Sequence, residues 1–334
     1  MTAIRVIMKG HVQASQCLKL KSLGTHSFPG SNGTVPKQQR LSGTAVFTRC
    51  LATDKDVQDN IKNFKEGKFD NMPDPSHLEH FRSGKSDPLS QKEKPPIGTY
   101  TMPHPIWNEE QLHQVKITHK EPEGKVEKMA FMTVKVFRKG FDIFSGFIFG
   151  ERNEKKWLTR ICFLETVAGV PGMVAAMARH MKSLRMMQRD YGWIHTLLEE
   201  AENERMHLLT ALQLKQPSVF FRLAVIGSQG VFVTMFGLTY FISPRFCHRF
   251  VGYLEEEAVK TYTKCLEDIE NGPMSHWKTQ AAPDVAVRYW KLRADATMKD
   301  VILAIRADEA HHRLVNHTLA SMKSTDFNPY KPGQ

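Results

Sequence analysis

The stretch IHTLLEEAENERMHLLTALQL, from Ile194 to Leu214, decides how the rest of the chain is read. It contains neither Pro nor Gly, and Leu197, Leu198, Ala201, Leu208, Leu209 and Leu212 recur at the spacing of one helix face. Glu204 falls beside that stripe, since 197, 201, 204 and 208 follow the i, i+4, i+7 rule. His207 comes three residues later, so the two side chains leave the same face and can reach one point. A carboxylate turned toward a core must be paired, protonated or bound to a metal.

Working outward, the same Glu-x-x-His spacing recurs at Glu309/His312, flanked by Val301, Ile302, Ile305 and Leu314. It also occurs at Glu110/His113. With 21 Glu and 15 His in the chain, about one such match is expected by chance. Glu110/His113 sits in a Pro-rich stretch without an apolar stripe and is read as that match. Two helices with Glu-x-x-His, joined by two helices that each give one Glu, form the pattern of di-iron carboxylate bundles. Carboxylates can bridge two cations, and imidazole suits iron. Glu165 is the only acid between Glu154 and Asp190 and lies in the apolar run Cys162-Phe163-Leu164-Glu165-Thr166-Val167. The fourth helix carries Glu255-Glu256-Glu257, and periodicity leaves open which of the three faces inward. The expected fold is all-α: a ferritin-like four-helix bundle around two iron ions, with two amphipathic helices at a membrane surface.

The helical texture begins near residue 126. Periodicity predicts helices near 128–149, 155–186, 190–214, 218–242, 248–271 and 284–321. Asp190 is a candidate N-cap for the third, and Asn271-Gly272-Pro273 a stop for the fifth. Pro171 lies inside the second and should kink it. Residues 126–322 are therefore read as the helical domain and 323–334 as a C-terminal tail. Residues 54–125 are polar and Pro-containing and read as an extended arm, with a short helix near 56–66. Residues 1–53 contain no Asp or Glu but hold Arg5, Lys9, Lys19, Lys21, Lys37, Arg40 and Arg49 among Ser, Thr and Gly. That composition predicts a mitochondrial transit peptide. Its seven basic residues account for most of the net charge of +11, so nothing calls for nucleic acid. The five cysteines form no C-x-x-C pair and read as buried thiols.

Residues 223–244 carry no charge and lie between Arg222 and Arg245. The length suffices to span a bilayer. Glu165, Glu204 and His207 precede this segment, however, while Glu255, Glu309 and His312 follow it. A single crossing would divide the metal site between two sides of the membrane. The segment is therefore expected to lie in one leaflet, beside an amphipathic companion at 131–149.

Leu164-Glu165-Thr166, Asn203-Glu204-Arg205-Met206-His207-Leu208, Leu254-Glu255-Glu256-Glu257-Ala258-Val259 and Arg306-Ala307-Asp308-Glu309-Ala310-His311-His312 resemble, in order, the blocks of the alternative oxidases. The similarity runs from about Tyr100 to Asn316. The resemblance implies a non-proton-pumping terminal oxidase. It would couple ubiquinol oxidation to the four-electron reduction of O2 to water, as a homodimer bound to inner-membrane lipid on the matrix side. It implies Glu255 as the ligand among the three acids and Tyr262 as a redox tyrosine beside the metals. It further implies Asn203 and Asp308 behind the ligating histidines, and Arg138, Asp142, Arg160, Leu254 and Thr261 around a quinol pocket. Plastid-type quinol oxidases, quinone hydroxylases and ferritin-like iron-binding proteins share parts of the pattern. The last of these need neither a membrane face nor a quinol pocket.

Overall fold

In the computed structural model residues 96–334 are described, and every regular element among them is helical apart from one isolated bridge, Ala281 to Thr297. The expected transit peptide, the short helix near 56–66 and most of the arm lie outside the described residues. The elements are α1 (Glu109–Gln114), α2 (Gly124–Phe144), α3 (Glu154–Met186), α4 (Trp193–Ala211), α5 (Val219–Ile242), α6 (Pro244–Asn271), a 3-10 turn (Ser275–Lys278), α7 (Asp284–Trp290) and α8 (Met298–Ser321).

Local chemistry sets the ends. Asn153, Ser218 and Ser243 cap α3, α5 and α6 by accepting from backbone N–H groups of the first turn. Pro244 occupies the first turn of α6, where its missing N–H costs nothing, so α6 begins four residues earlier than periodicity suggests. α6 ends at Asn271, with Gly272 as its C-cap. Gly192 rather than Asp190 is the N-cap of α4, but Asp190 Oδ2 still accepts from Ile194 N at 2.8 Å. α2 stops at Phe144 instead of running to 149, and Gly146 follows at φ +65°. The long helix expected over 284–321 is two helices. Lys291 takes a left-handed conformation (φ 52°) that closes α7, and a Thr297/Asp300 capping box starts α8. α3 runs unbroken through Pro171.

α8 packs along α6, and α4 along α3, to give the four-helix bundle; α2 lies on α6, and α5 lies across α3 and α6. The α3–α4 approach is close because Gly172 lacks a side chain: a Cβ there would stand 2.5 Å from Leu197 O. Two apolar clusters fill the bundle. One joins Trp157, Cys162, Met206, Tyr262, Ile302 and Ala307; the other joins Val170, Leu197, Phe250, Tyr253, Val315 and Leu319. On every bundle helix the two clusters are separated by a short gap. Those gaps hold Glu165, Glu204, Glu255 and Glu309, so the bundle has a polar middle layer between two greasy ends.

Outside the bundle, α5 buries only Phe236 and Tyr240, and leaves Phe220, Leu223, Ile226, Leu238 and Phe241 exposed. α2 exposes Met129, Met132, Val136, Phe137 and Phe144.

Candidate metal centre and its pocket

α3, α4, α6 and α8 bring Glu165, Glu204, His207, Glu255, Glu309 and His312 into the middle layer, none more than 5 % exposed. They form two overlapping groups. Donor atoms of Glu165, Glu204, His207 and Glu309 lie within 4.8 Å of one another, as do those of Glu204, Glu255, Glu309 and His312. Glu204 and Glu309 belong to both. His207 Nδ1 stands 3.4 Å from Glu165 Oε2, 3.3 Å from Glu204 Oε2 and 3.4 Å from Glu309 Oε1.

Internal hydrogen bonds do not satisfy this cluster. Glu165 Oε2, both oxygens of Glu204, His207 Nδ1 and His312 Nδ1 are buried with no hydrogen-bond partner. His312 Nδ1 is 2.8 Å from Glu204 Oε1, a short ion-pair contact without hydrogen-bond alignment. Burial and the neighbouring Glu204 charge push Glu165 well above the usual carboxylate range, and burial and Glu309 do the same to Glu255. Burial acts the same way on Glu204, but contacts from His207 and His312 outweigh it and hold its carboxyl well below that range. Such a buried set is costly by itself. Four carboxylates match the charge of two divalent cations, and the orphaned atoms are the donors such ions would take. The residues present therefore fit a pair of metal ions, with Glu204 and Glu309 common to both donor groups.

Behind His207 stands Asp308. Its Oδ2 accepts from His207 Nε2 at 3.0 Å, Asn203 Nδ2 at 3.0 Å and Trp290 Nε1 at 2.8 Å, and its Oδ1 accepts from Trp107 Nε1 at 2.6 Å. Desolvation would raise its pKa, but the His207 hydrogen bond and charge lower it. The bond to Nε2 leaves His207 Nδ1 facing the cluster, the usual arrangement behind a metal-bound imidazole. Asn203 Nδ2 also donates to the Tyr289 hydroxyl at 2.9 Å; the sequence offers no signal for Trp107, Tyr289 or Trp290. Nothing local marks Trp107, which reaches the site from the arm across 201 positions of sequence. Glu200 is a further buried acid, held by Asn316 Nδ2 at 2.9 Å to each oxygen. Burial raises its pKa to about 7.

Tyr262 is buried in α6 and its hydroxyl donates to Glu165 Oε1. Burial and the Glu165 charge hold the phenol well above its ordinary pKa. Glu110 and His113 take no part in the cluster: α1 is exposed there, and His113 Nε2 contacts Glu109 instead, at 3.2 Å.

A cavity of about 540 Å³ opens among α2, α3, α5 and α6 and ends on Glu165, Glu255, Glu309 and Tyr262. Arg138, Arg160, Leu254 and Thr261 line it; Asp142 does not, but braces both arginines. Arg138 Nε donates to Asp142 Oδ2 at 2.9 Å, and Arg138 Nη1 donates to Thr261 Oγ1 at 2.7 Å. Arg160 Nη1 lies 2.7 Å from Asp142 Oδ1, yet its guanidinium N–H groups lack aligned acceptors. Its carbon sits 4.2 Å from the Phe147 ring centroid. Burial, then the Arg138 charge, lowers its pKa to about 10, so it stays cationic at neutral pH. The pocket is thus an apolar slot with one under-used cationic donor beside the carboxylate cluster.

The sequence profile of the family described as "Alternative oxidase" matches residues 107–321. The chain is 51% identical over 239 residues to the mitochondrial alternative oxidase of Emericella nidulans and 52% identical over 239 residues to that of Aspergillus niger, covering 68% of each chain in both cases. It is 52% identical over 218 residues to the mitochondrial alternative oxidase of Trypanosoma brucei brucei, covering 65% of this chain and 66% of the other. With the profile spanning the arm tryptophan, the pocket arginines and all six cluster residues, the chain belongs to the alternative oxidase family.

Proposed function

We propose that this chain is a mitochondrial ubiquinol oxidase that reduces O2 to water at two iron ions without pumping protons. It would lie on one leaflet of the inner membrane, facing the matrix. The observation that carries the reading is the apolar cavity that joins exposed α2 and α5 to the carboxylate cluster. A lipid-soluble reductant needs such a path, and a storage protein does not.

Glu165, Glu204, His207 and Glu309 would hold one ion, and Glu204, Glu255, Glu309 and His312 the other. Bound iron would supply electron transfer to dioxygen. The protein supplies the rest. Asp308, supported by Asn203, keeps His207 in the tautomer that presents Nδ1. Arg160 offers its free N–H groups to a quinol oxygen, with Arg138, Thr261 and Leu254 shaping the slot. Tyr262 holds a proton at its hydroxyl, against Glu165 Oε1, next to where oxygen is reduced. The apolar walls keep bulk water from that proton.

The membrane assignment is supported by α5, an uncharged run but for Arg222, 24 residues long, that buries only Phe236 and Tyr240. α3 is also long and apolar, but half of its most apolar stretch is buried and it carries Glu165. Cluster residues on both sides of α5 in sequence require it to return to the side it left. α5 and α2 would thus dip into one leaflet. Met173, Met177, Met181 and Leu184 form an exposed stripe on α3 that suits a second copy of the chain. The acid-free segment 1–53 serves as the transit peptide.

The test is oxygen uptake by purified protein in lipid vesicles with ubiquinol, in the presence of cyanide to silence any haem oxidase. Uptake that needs iron supports the proposal. No uptake above the metal-free control, with iron still bound, would favour a ferritin-like role instead.

A further inference from the structure

A second opening approaches the cluster between α4 and α8. Glu199, Glu200 and Asn203 on α4, His311 and His312 on α8, and His104 from the arm form its walls. Its volume is about 20 Å³, room for a single water molecule. His312 is both part of this wall and part of the carboxylate–imidazole cluster. Asn203 Oδ1 is buried in the same wall without a hydrogen-bond partner. The C-terminal segment covers the opening. Gln334 lines it, and Gly333 N donates to Glu199 Oε1 at 3.1 Å. Asn328 Nδ2 donates to Thr196 Oγ1 at 2.6 Å and to Gly192 O at 3.1 Å.

The two openings differ in charge. The apolar cavity carries the guanidinium groups of Arg138 and Arg160 among apolar walls, and its carboxylates, Glu165, Glu255 and Glu309, are those of the cluster itself. A divalent cation entering that way would meet like charge and apolar walls before it reached any carboxylate, and would lose its water shell there without replacement. The α4–α8 cleft is lined by the carboxylates of Glu199, Glu200 and Asp308, an amide oxygen and imidazoles. A cation shedding water needs oxygen and nitrogen donors of this kind in succession. We propose that the α4–α8 cleft is the portal through which metal ions reach and leave the cluster, with residues 328–334 as its cover. The proposal rests on the metal-centre reading above. A passage with room for one water is too narrow for a hydrated cation, so the cover lifts during exchange. Glu199 is the latch: it holds Gly333 N when the portal is shut and is free to bind a cation when the tail has moved.

The experiment follows iron transfer from full-length, iron-loaded protein to a hydrophilic chelator, with no quinol present, and iron uptake by the stripped protein. Asn328→Ala removes the two hydrogen bonds that tie the cover to α4 and its N-cap, and one to Tyr330 N within the cover, and should speed release about tenfold. Tyr330→Phe removes only the bond to Thr318 Oγ1 (3.0 Å) and should speed it less. Glu199→Gln keeps an acceptor for Gly333 N but removes the charge, and should slow uptake about tenfold. A quinone analogue filling the apolar cavity should change neither rate. Equal helicity and equal final iron content establish that the variants are folded. Unchanged rates in the variants, or release blocked by the quinone analogue, would overturn the portal. A wild-type chain that binds no iron would remove the metal-centre reading itself, and the portal with it.

Discussion

Asp308→Asn separates two jobs done by one carboxylate. Asp308 accepts four hydrogen bonds: three at Oδ2, from His207, Asn203 and Trp290, and one at Oδ1, from Trp107. An asparagine has one acceptor oxygen, and the orientation that keeps most bonds places it at the Oδ2 position. Its NH2 group then faces Trp107 Nε1 across the former 2.6 Å contact, donor against donor. One buried donor left unpaired costs about 1–3 kcal/mol. Separately, His207 Nε2–H now meets a neutral oxygen, which makes Nδ1 a weaker ligand and should lower metal affinity by about 10–100-fold. The double variant Trp107→Phe/Asp308→Asn removes the donor conflict but not the loss of charge. Chemical unfolding should therefore show stability recovering by about 1–3 kcal/mol relative to Asp308→Asn with Trp107→Phe accounted for. Iron affinity, measured by competition with a chelator, should stay low. Full recovery of iron affinity in the double variant, or no loss of either quantity in Asp308→Asn, would refute the reasoning.

Three further outcomes are expected. Gly172→Ala places a methyl carbon 2.5 Å from Leu197 O, so α3 and α4 must part; thermal melting should show a loss of about 1–3 kcal/mol, and an unchanged midpoint would contradict the close approach. His248 is buried between Tyr240 and Asn316, and burial lowers its pKa from 6.5 to about 4. The unfolded chain takes up a proton that the folded one refuses, so stability is full above about pH 6.5 and falls by roughly 3 kcal/mol toward pH 4. Glu200, raised to about 7 by burial, pulls the other way over an overlapping range. The test is therefore the difference between wild type and His248→Gln, which should lose that acid-side slope. Finally, Phe220→Glu with Ile226→Glu on exposed α5 should release the protein from vesicles at alkaline pH without detergent while leaving iron content intact; retention in the vesicles would argue against leaflet insertion by this face.

Most of the carboxylate–imidazole cluster was legible because its residues obey helix-local rules; Glu255 is singled out from its triple only by the family resemblance. Glu204/His207 and Glu309/His312 declare themselves by i, i+3 spacing beside apolar stripes, and Glu165 by its isolation in a greasy run. The exposed position of Glu110/His113 shows why the stripe mattered as much as the motif. Where contacts are made by chain segments far apart in sequence, spacing carries no trace of them. Trp107 and His104 arrive from a Pro-rich arm that looks featureless. The division of α7 from α8 was missed although Thr297-x-x-Asp300 is a capping signal, because the apolar period on either side masks a short interruption. Asp142 illustrates a finer limit. The family resemblance implies a place for it around the pocket, but only the fold shows that it braces two arginines rather than lining the cavity.

The sharing of donor groups between the two halves of the chain governs when the centre can form. The first group takes Glu165, Glu204 and His207 from before α5 and only Glu309 from after it; the second takes Glu255, Glu309 and His312 from after α5 and only Glu204 from before. Neither half has a full set for even one ion. A chain emerging from a ribosome or threading through a translocase has no competent site until α8 has emerged and docked. Premature capture of a stray cation by a half-made site is correspondingly weak. On the proposed reading, metal loading is a late event in the life of the nascent chain, and a truncation before Glu309, which belongs to both groups, should yield a protein that folds in part and loads no ion.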